Sequence, residues 1–176
     1  WLATNDPALK SFHRISPFEL TNQDGETVTN QTFAGKIYIT DFFFTSCAGI
    51  CPKMTSNMTG VQEAFLENED VLILSHSVTP SQDSVATLKR YADNNGVVSS
   101  KWHLVTGSQA EIYALGRQDY FIEEDLGLEK SADEFLHTEN FVLIDRHGHI
   151  RGIYNGLNKT SVRQLITDIE TLLLED

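Results

Sequence analysis

Ile37-Tyr38-Ile39-Thr40-Asp41-Phe42-Phe43-Phe44 runs directly into Thr45-Ser46-Cys47-Ala48-Gly49-Ile50-Cys51-Pro52. The first part is rich in β-branched and aromatic residues and long enough for a central strand. Pro52 lacks an N–H and suits the opening of a helix, while it disfavours α geometry for the residue before it, so Cys51 is expected to cap that helix. Beyond it, Met54, Met58, Val61 and Phe65 fall at i, i+4, i+7 and i+11, one stripe of an amphipathic helix. The order is strand, cysteine turn, helix. Both sulfurs then lie near a helix N-terminus, whose partial positive charge favours thiolate and so suits a nucleophile and a soft-metal ligand alike.

Downstream, Val71-Leu72-Ile73-Leu74 reads as a second buried strand, followed by a helix carrying Val85, Leu88 and Tyr91 behind Ser81 or Asp83 as caps. Trp102-His103-Leu104-Val105 is a short strand, and Ser108 to about Tyr120 reads as helix with Ile112 and Leu115 inward. Glu123 to Glu134 holds six acidic residues with little periodicity, an irregular surface insertion. Phe141-Val142-Leu143-Ile144 and Ile150-Arg151-Gly152-Ile153-Tyr154 flank a turn around Gly148 as a hairpin. A last helix puts Val162, Leu165, Ile166, Ile169, Leu172 and Leu173 on one face. Upstream, Phe18-Glu19-Leu20 and Thr27-Val28-Thr29 surround the turn Asn22-Gln23-Asp24-Gly25, again as a hairpin. An α/β alternation that ends in hairpin plus helix, with a dithiol on its first βα turn, is the thioredoxin-like arrangement: a central mixed β-sheet flanked by helices. Residues 1–15 are expected to be an N-terminal tail and 16–176 one domain.

The composition agrees: 176 residues, 40% hydrophobic and 22% charged, suit one globular domain. No apolar run approaches the ~18 residues of a membrane helix, and no secretory apolar core is visible. The sequence begins at Trp1, so an N-terminal anchor absent from these residues is expected. A net charge of −12 disfavours nucleic acid and anionic lipid, which are held through Lys and Arg; a basic protein or a cation is easier to accommodate.

The two cysteines lie four positions apart. A disulfide closing so small a loop contributes about 2 kcal/mol by chain entropy, against nearly 5 for a loop of ~100 residues. As a structural staple it is poor, which favours a redox or metal role.

Phe44 to Pro52, with three residues between the cysteines and proline after the second, resembles the Sco/SenC family of copper proteins that help assemble cytochrome c oxidase; ordinary thioredoxin-type oxidoreductases have two residues there. Ser77-Val78-Thr79-Pro80 with Asp83, and Phe135-Leu136-His137-Thr138 ahead of Phe141 to Asp145, resemble further segments of that family, and the likeness spans about Ser16 to Leu174. Gly49 and Thr79 stand where the family often has Asp. The resemblance implies Cys47, Cys51 and His137 as metal ligands, one copper per chain as Cu(I) or Cu(II), and a metallochaperone role toward the binuclear copper centre of the oxidase. It implies two kinds of partner, the oxidase's copper-bearing subunit and a copper donor or thiol reductant. The donor set agrees, since two thiolates suit Cu(I) and an added imidazole supports Cu(II), although zinc tolerates the same ligands. Such a dithiol suits an extracytoplasmic setting, the periplasmic face of a bacterial inner membrane or its equivalent.

The main alternative is a thiol-disulfide oxidoreductase with Cys47 and Cys51 as its catalytic dithiol. Against it, thioredoxin-type enzymes carry a proline before the strand facing the dithiol, whereas the prolines here are Pro7, Pro17, Pro52 and Pro80, and that position offers His137 instead. A thiol peroxidase would need a proline-led cysteine motif that is missing. His147 and His149 read as a solvated hairpin tip, His76 as a local hydrogen-bonding residue, and Met54 and Met58 as core.

Overall fold

The alternation in the strand before Cys47 builds the molecule around two opposite faces. The computed structural model describes residues 13–46, 51–120, 136 and 138–175. Strand β3 (Ile37–Phe43) is buried along its whole length. Ile37, Ile39 and Phe43 enter one apolar cluster, while Tyr38 and Phe42 enter the other, as a period of two requires.

Beside β3 runs β4 (Val71–Ser77), parallel and in register from Ile37 opposite Val71 to Phe43 opposite Ser77. β5 (Trp102–Thr106) continues the parallel set, and β6 (Asn140–Ile144) lies antiparallel on the other side of β3, with Tyr38 opposite Ile144 and Thr40 opposite Val142. β7 (Ile150–Asn155) closes that edge as a hairpin with β6; the expected N-terminal hairpin, β1 (Glu19–Asn22) and β2 (Thr27–Thr29), closes the other. The sheet order is β2-β1-β5-β4-β3-β6-β7. Residues 13–15 already join the packed structure: Ile150 N donates to His13 O (2.9 Å), Arg14 bridges His149, and Ile15 is buried.

Helices α1 (Cys51–Ala64), α2 (Val85–Asn94) and α4 (Lys159–Leu173) pack on one face. Met54, Met58, Val61 and Phe65 of the expected stripe all lie in that core. α3 (Gln109–Ala114), which passes into a π-helix over Leu115–Asp119, packs on the opposite face together with Ile15, Phe18 and Phe33.

Two cap assignments change. α1 starts at Cys51 itself rather than after it, with Pro52 in the first turn, where the missing N–H has no intrahelical partner to lose. The cap of α2 is Ser84, whose hydroxyl accepts from Thr87 N (3.2 Å), not Ser81 or Asp83. Asp83 is buried and committed elsewhere.

Candidate metal centre

The carboxyl end of β3 is where the two cores meet. Phe43 packs in one of them, and half-buried Phe44 packs against both. The chain then turns through Thr45 and Ser46, and α1 leaves from Cys51, which is 5% exposed. The Cys51 sulfur thus sits at the first residue of a helix and against apolar side chains, an electropositive and water-poor setting.

Asp83 holds this edge. Its Oδ1 accepts from Thr45 Oγ1 (2.5 Å), and its Oδ2 accepts from Thr45 N (3.3 Å), Ser77 Oγ (2.7 Å) and Thr79 Oγ1 (3.0 Å). Val78 N donates to Phe43 O (2.8 Å) just below. The loops leaving the neighbouring strands β3 and β4 are therefore tied through one carboxylate.

The β3–β6 register brings a third segment to the same edge. It runs from Tyr38 opposite Ile144 to Thr40 opposite Val142, so the chain enters β6 from the end at which β3 leaves. Leu136 is 2% exposed in the cluster that also holds Phe42 and Tyr120. Thr138 Oγ1 accepts from Asn140 N (3.0 Å), and Glu139 O accepts from Gly156 N (2.7 Å), while Gly156 O accepts from Asn57 Nδ2 of α1 (2.8 Å). Hydrogen bonds thus run from the cysteine-bearing helix to the 138–140 segment.

Of the expected ligand set, Cys51 lies among the described residues; Cys47 and His137 fall outside them, as do Gly49 and the acidic stretch Glu123 to Glu134. Among the described residues no three His, Cys, Asp or Glu side chains converge as a metal site. His147 and His149 belong to the β6–β7 turn, where Asp145 Oδ1 accepts both backbone N–H groups (2.8 and 3.0 Å), at the sheet end opposite Cys51. Met54 and Met58 are core, 1% and 0% exposed.

His76 is wholly buried and stacked on Phe42, ring centroids 4.3 Å apart. Thr40 Oγ1 donates to Leu74 O (2.7 Å), and Asp41 O can only accept, so the proton of the His76 imidazole belongs on Nδ1, within 3.2 Å of Asp41 O and 3.1 Å of Thr40 Oγ1. Nε2 has no hydrogen-bond partner among the described residues. Burial pushes the imidazole down to about 4. This is the local hydrogen-bonding role expected of it, on the face away from α1.

Asp41 is the residue that sequence reasoning passed over. Its carboxyl is 2% exposed and accepts from the Ser75 hydroxyl, which in turn accepts from Trp102 Nε1 (2.9 Å). Burial pushes it up to about 7, a rise that the Ser75 bond opposes. An acidic residue inside an otherwise apolar strand was the available signal.

A model of the SCO1/SenC family matches residues 7–174. The SCO1 protein homolog of Bacillus subtilis (strain 168) is 34% identical over 163 residues, covering 90% of this chain and 82% of the relative. Among solved structures, BsSco, a member of the Sco family of cytochrome c oxidase assembly proteins in which a disulfide switch is identified, superposes with a TM-score of 0.78 at 30% identity, covering 93% of this chain and 95% of that one. Bradyrhizobium japonicum ScoI with copper bound superposes at 0.71 with 25% identity, covering 90% and 99%.

Proposed function

This chain belongs to the SCO1/SenC family, and on that premise we propose that it is an extracytoplasmic copper-binding assembly factor for the binuclear copper centre of a cytochrome c oxidase. Cys47, Cys51 and His137 are its ligands in this reading. The observation that carries it is the position of Cys51, a nearly buried residue that opens α1 at the end of the sheet where β3 leaves and antiparallel β6 enters. A helix N-terminus favours thiolate there, and the surrounding apolar side chains keep water from competing for a soft ion. BsSco and copper-bound ScoI support the assignment by likeness. The partners are the oxidase's copper-bearing subunit and a copper donor or thiol reductant; a dithiol that must be kept available for metal or for redox cycling suits an exported compartment.

The test is copper titration of the reduced protein, with absorption spectroscopy and metal analysis. One copper per chain and a visible sulfur-to-Cu(II) band that vanishes on oxidation of both cysteines are expected. Zinc retained in preference to copper under competition overturns the assignment.

Thiol-disulfide exchange at the same dithiol is the second reading, favoured by the disulfide switch of BsSco. Because Cys51 is buried, Cys47 would attack an external disulfide and Cys51 would resolve the mixed disulfide. Insulin reduction at thioredoxin-like rates would rank this reading first; a negligible rate with intact copper binding would rank it second.

A further inference from the structure

Asp83 is 1% exposed, and among the described residues its carboxylate accepts from hydroxyls and a backbone N–H rather than from a cation. Taking a carboxylate out of water is costly unless its oxygens are well supplied with donors. Two of the four donors here belong to Thr45, two residues before Cys47; the others, Ser77 and Thr79, belong to the end of β4 and the loop beyond it. Asp83 N in turn donates to Thr79 O (2.9 Å), which closes the β4 loop around the carboxylate. The next residue, Ser84, caps α2, so the position of the carboxylate is referred to a helix as well as to the sheet.

We propose that Asp83 is a positioning residue for the dithiol: it anchors Thr45, two residues before Cys47 in the sequence, and so sets the readiness of the two sulfurs to join. This rests on reading the dithiol as the working site. Anchoring Thr45 at both its backbone N–H and its side chain restricts the start of the segment that bears Cys47, and such restriction raises the effective concentration of one thiol toward another, whereas its release lowers it. Neither Thr45 nor Asp83 touches a reacting atom in this scheme. The two bonds to Thr45 are what point to the cysteine turn.

The test is metal-free thiol-disulfide equilibrium. In a glutathione redox buffer, Cys47 and Cys51 together lose two electrons and two protons, and one oxidised glutathione becomes two reduced ones. Asp83→Asn and Thr45→Val are each expected to lower the constant for disulfide formation about tenfold, equivalent to ~30 mV for this two-electron couple, and the double variant to lower it no further. Ser77→Ala, which leaves both Thr45 bonds in place, is expected to lower the melting temperature while keeping the constant within about twofold of wild type. Thr45→Val removes a single hydroxyl from a half-buried residue, so it reports even where Asp83→Asn folds poorly. A constant unchanged by Thr45→Val, or effects of the two variants that add, overturns the proposal and leaves Asp83 a purely structural residue. Failure of the wild-type protein to take up copper would instead sink the copper reading without altering this comparison.

Discussion

Replacing Asp41 by Asn should change the pH dependence of stability in a calculable way. Asp41 is 2% exposed, and burial raises its carboxyl from 3.8 to about 7. Between those values the folded protein keeps a proton that the unfolded chain has released, so stability is highest below 3.8 and falls as pH rises through the window. Above about 7 both states are ionised, and the folded state carries the whole cost of a buried carboxylate, about 4 kcal/mol. Asn titrates nowhere in this range. It retains an oxygen for the Ser75 hydroxyl but adds an amide N–H without an evident acceptor, a constant penalty of roughly 1–3 kcal/mol. The difference between wild type and Asp41→Asn should therefore move in the variant's favour by about 3 kcal/mol from about pH 4.5 to about pH 8. Other titrating groups, His76 included, are common to both proteins and cancel. Urea unfolding of both at the two pH values measures the quantity. A difference that moves by less than about 1 kcal/mol would mean that Asp41 is ionised throughout in the folded state, and the reasoning from burial would be refuted.

Three further outcomes are expected. His137→Ala should lose Cu(II) affinity by a larger factor than Cu(I) affinity, because two thiolates satisfy Cu(I) while Cu(II) prefers an added nitrogen; competition assays in both oxidation states check it, and unchanged affinities would remove His137 from the ligand set. His76, held at about 4 by burial against 6.5 when unfolded, makes wild-type stability fall by about 3 kcal/mol as pH drops through that window. His76→Asn should flatten that acid limb in unfolding curves; a limb of unchanged slope would show that another group causes it. Gly156→Ala would place a Cβ 2.6 Å from the Phe141 ring and 2.8 Å from Glu139 O, so it should destabilise by about 1–3 kcal/mol in urea titration, and a neutral result would show that the 139–141 segment yields easily.

What was legible in the sequence follows from range. β3, α1 and the two hairpins each announce themselves within a few residues, through period-two or helical spacing and turn chemistry, and the structure has them at those places. Asp83 misled as a helix cap because an acidic residue ahead of a helix has the same local signature whether its donors are the helix N–H groups or a loop 38 positions back, at Thr45. Asp41 was passed over for a similar reason: its partner Ser75, and the Trp102 that donates to Ser75, come from two other strands, and nothing in the run Ile37 to Phe44 names them. Strand order was also beyond local reading, since β6 returns to the side of β3 only after the sheet has been built out to β1 on the other.

The site divides along the same line. Cys47 and Cys51 are near neighbours in sequence, so the partnership proposed for them is local chemistry, whereas the proposed third ligand, His137, lies 86 residues beyond Cys51 and would depend on register. The register that matters is between β3 and β6, where Val142 faces Thr40, Phe141 enters the core under α1 and Val142 enters the opposite one. Because side chains alternate faces, a one-residue insertion or deletion between Thr138 and Phe141 would either turn Phe141 and Val142 onto the wrong faces or slide the segment that precedes them along the sheet edge. The spacing from His137 to β6 is therefore constrained by the sheet. The spacing from Tyr120 to Leu136 is not: both ends are buried in one cluster, and the closure cost of the stretch between them grows only slowly with its length. Irregular length belongs before position 136 and fixed length after it, the order in which the acidic stretch and the histidine occur.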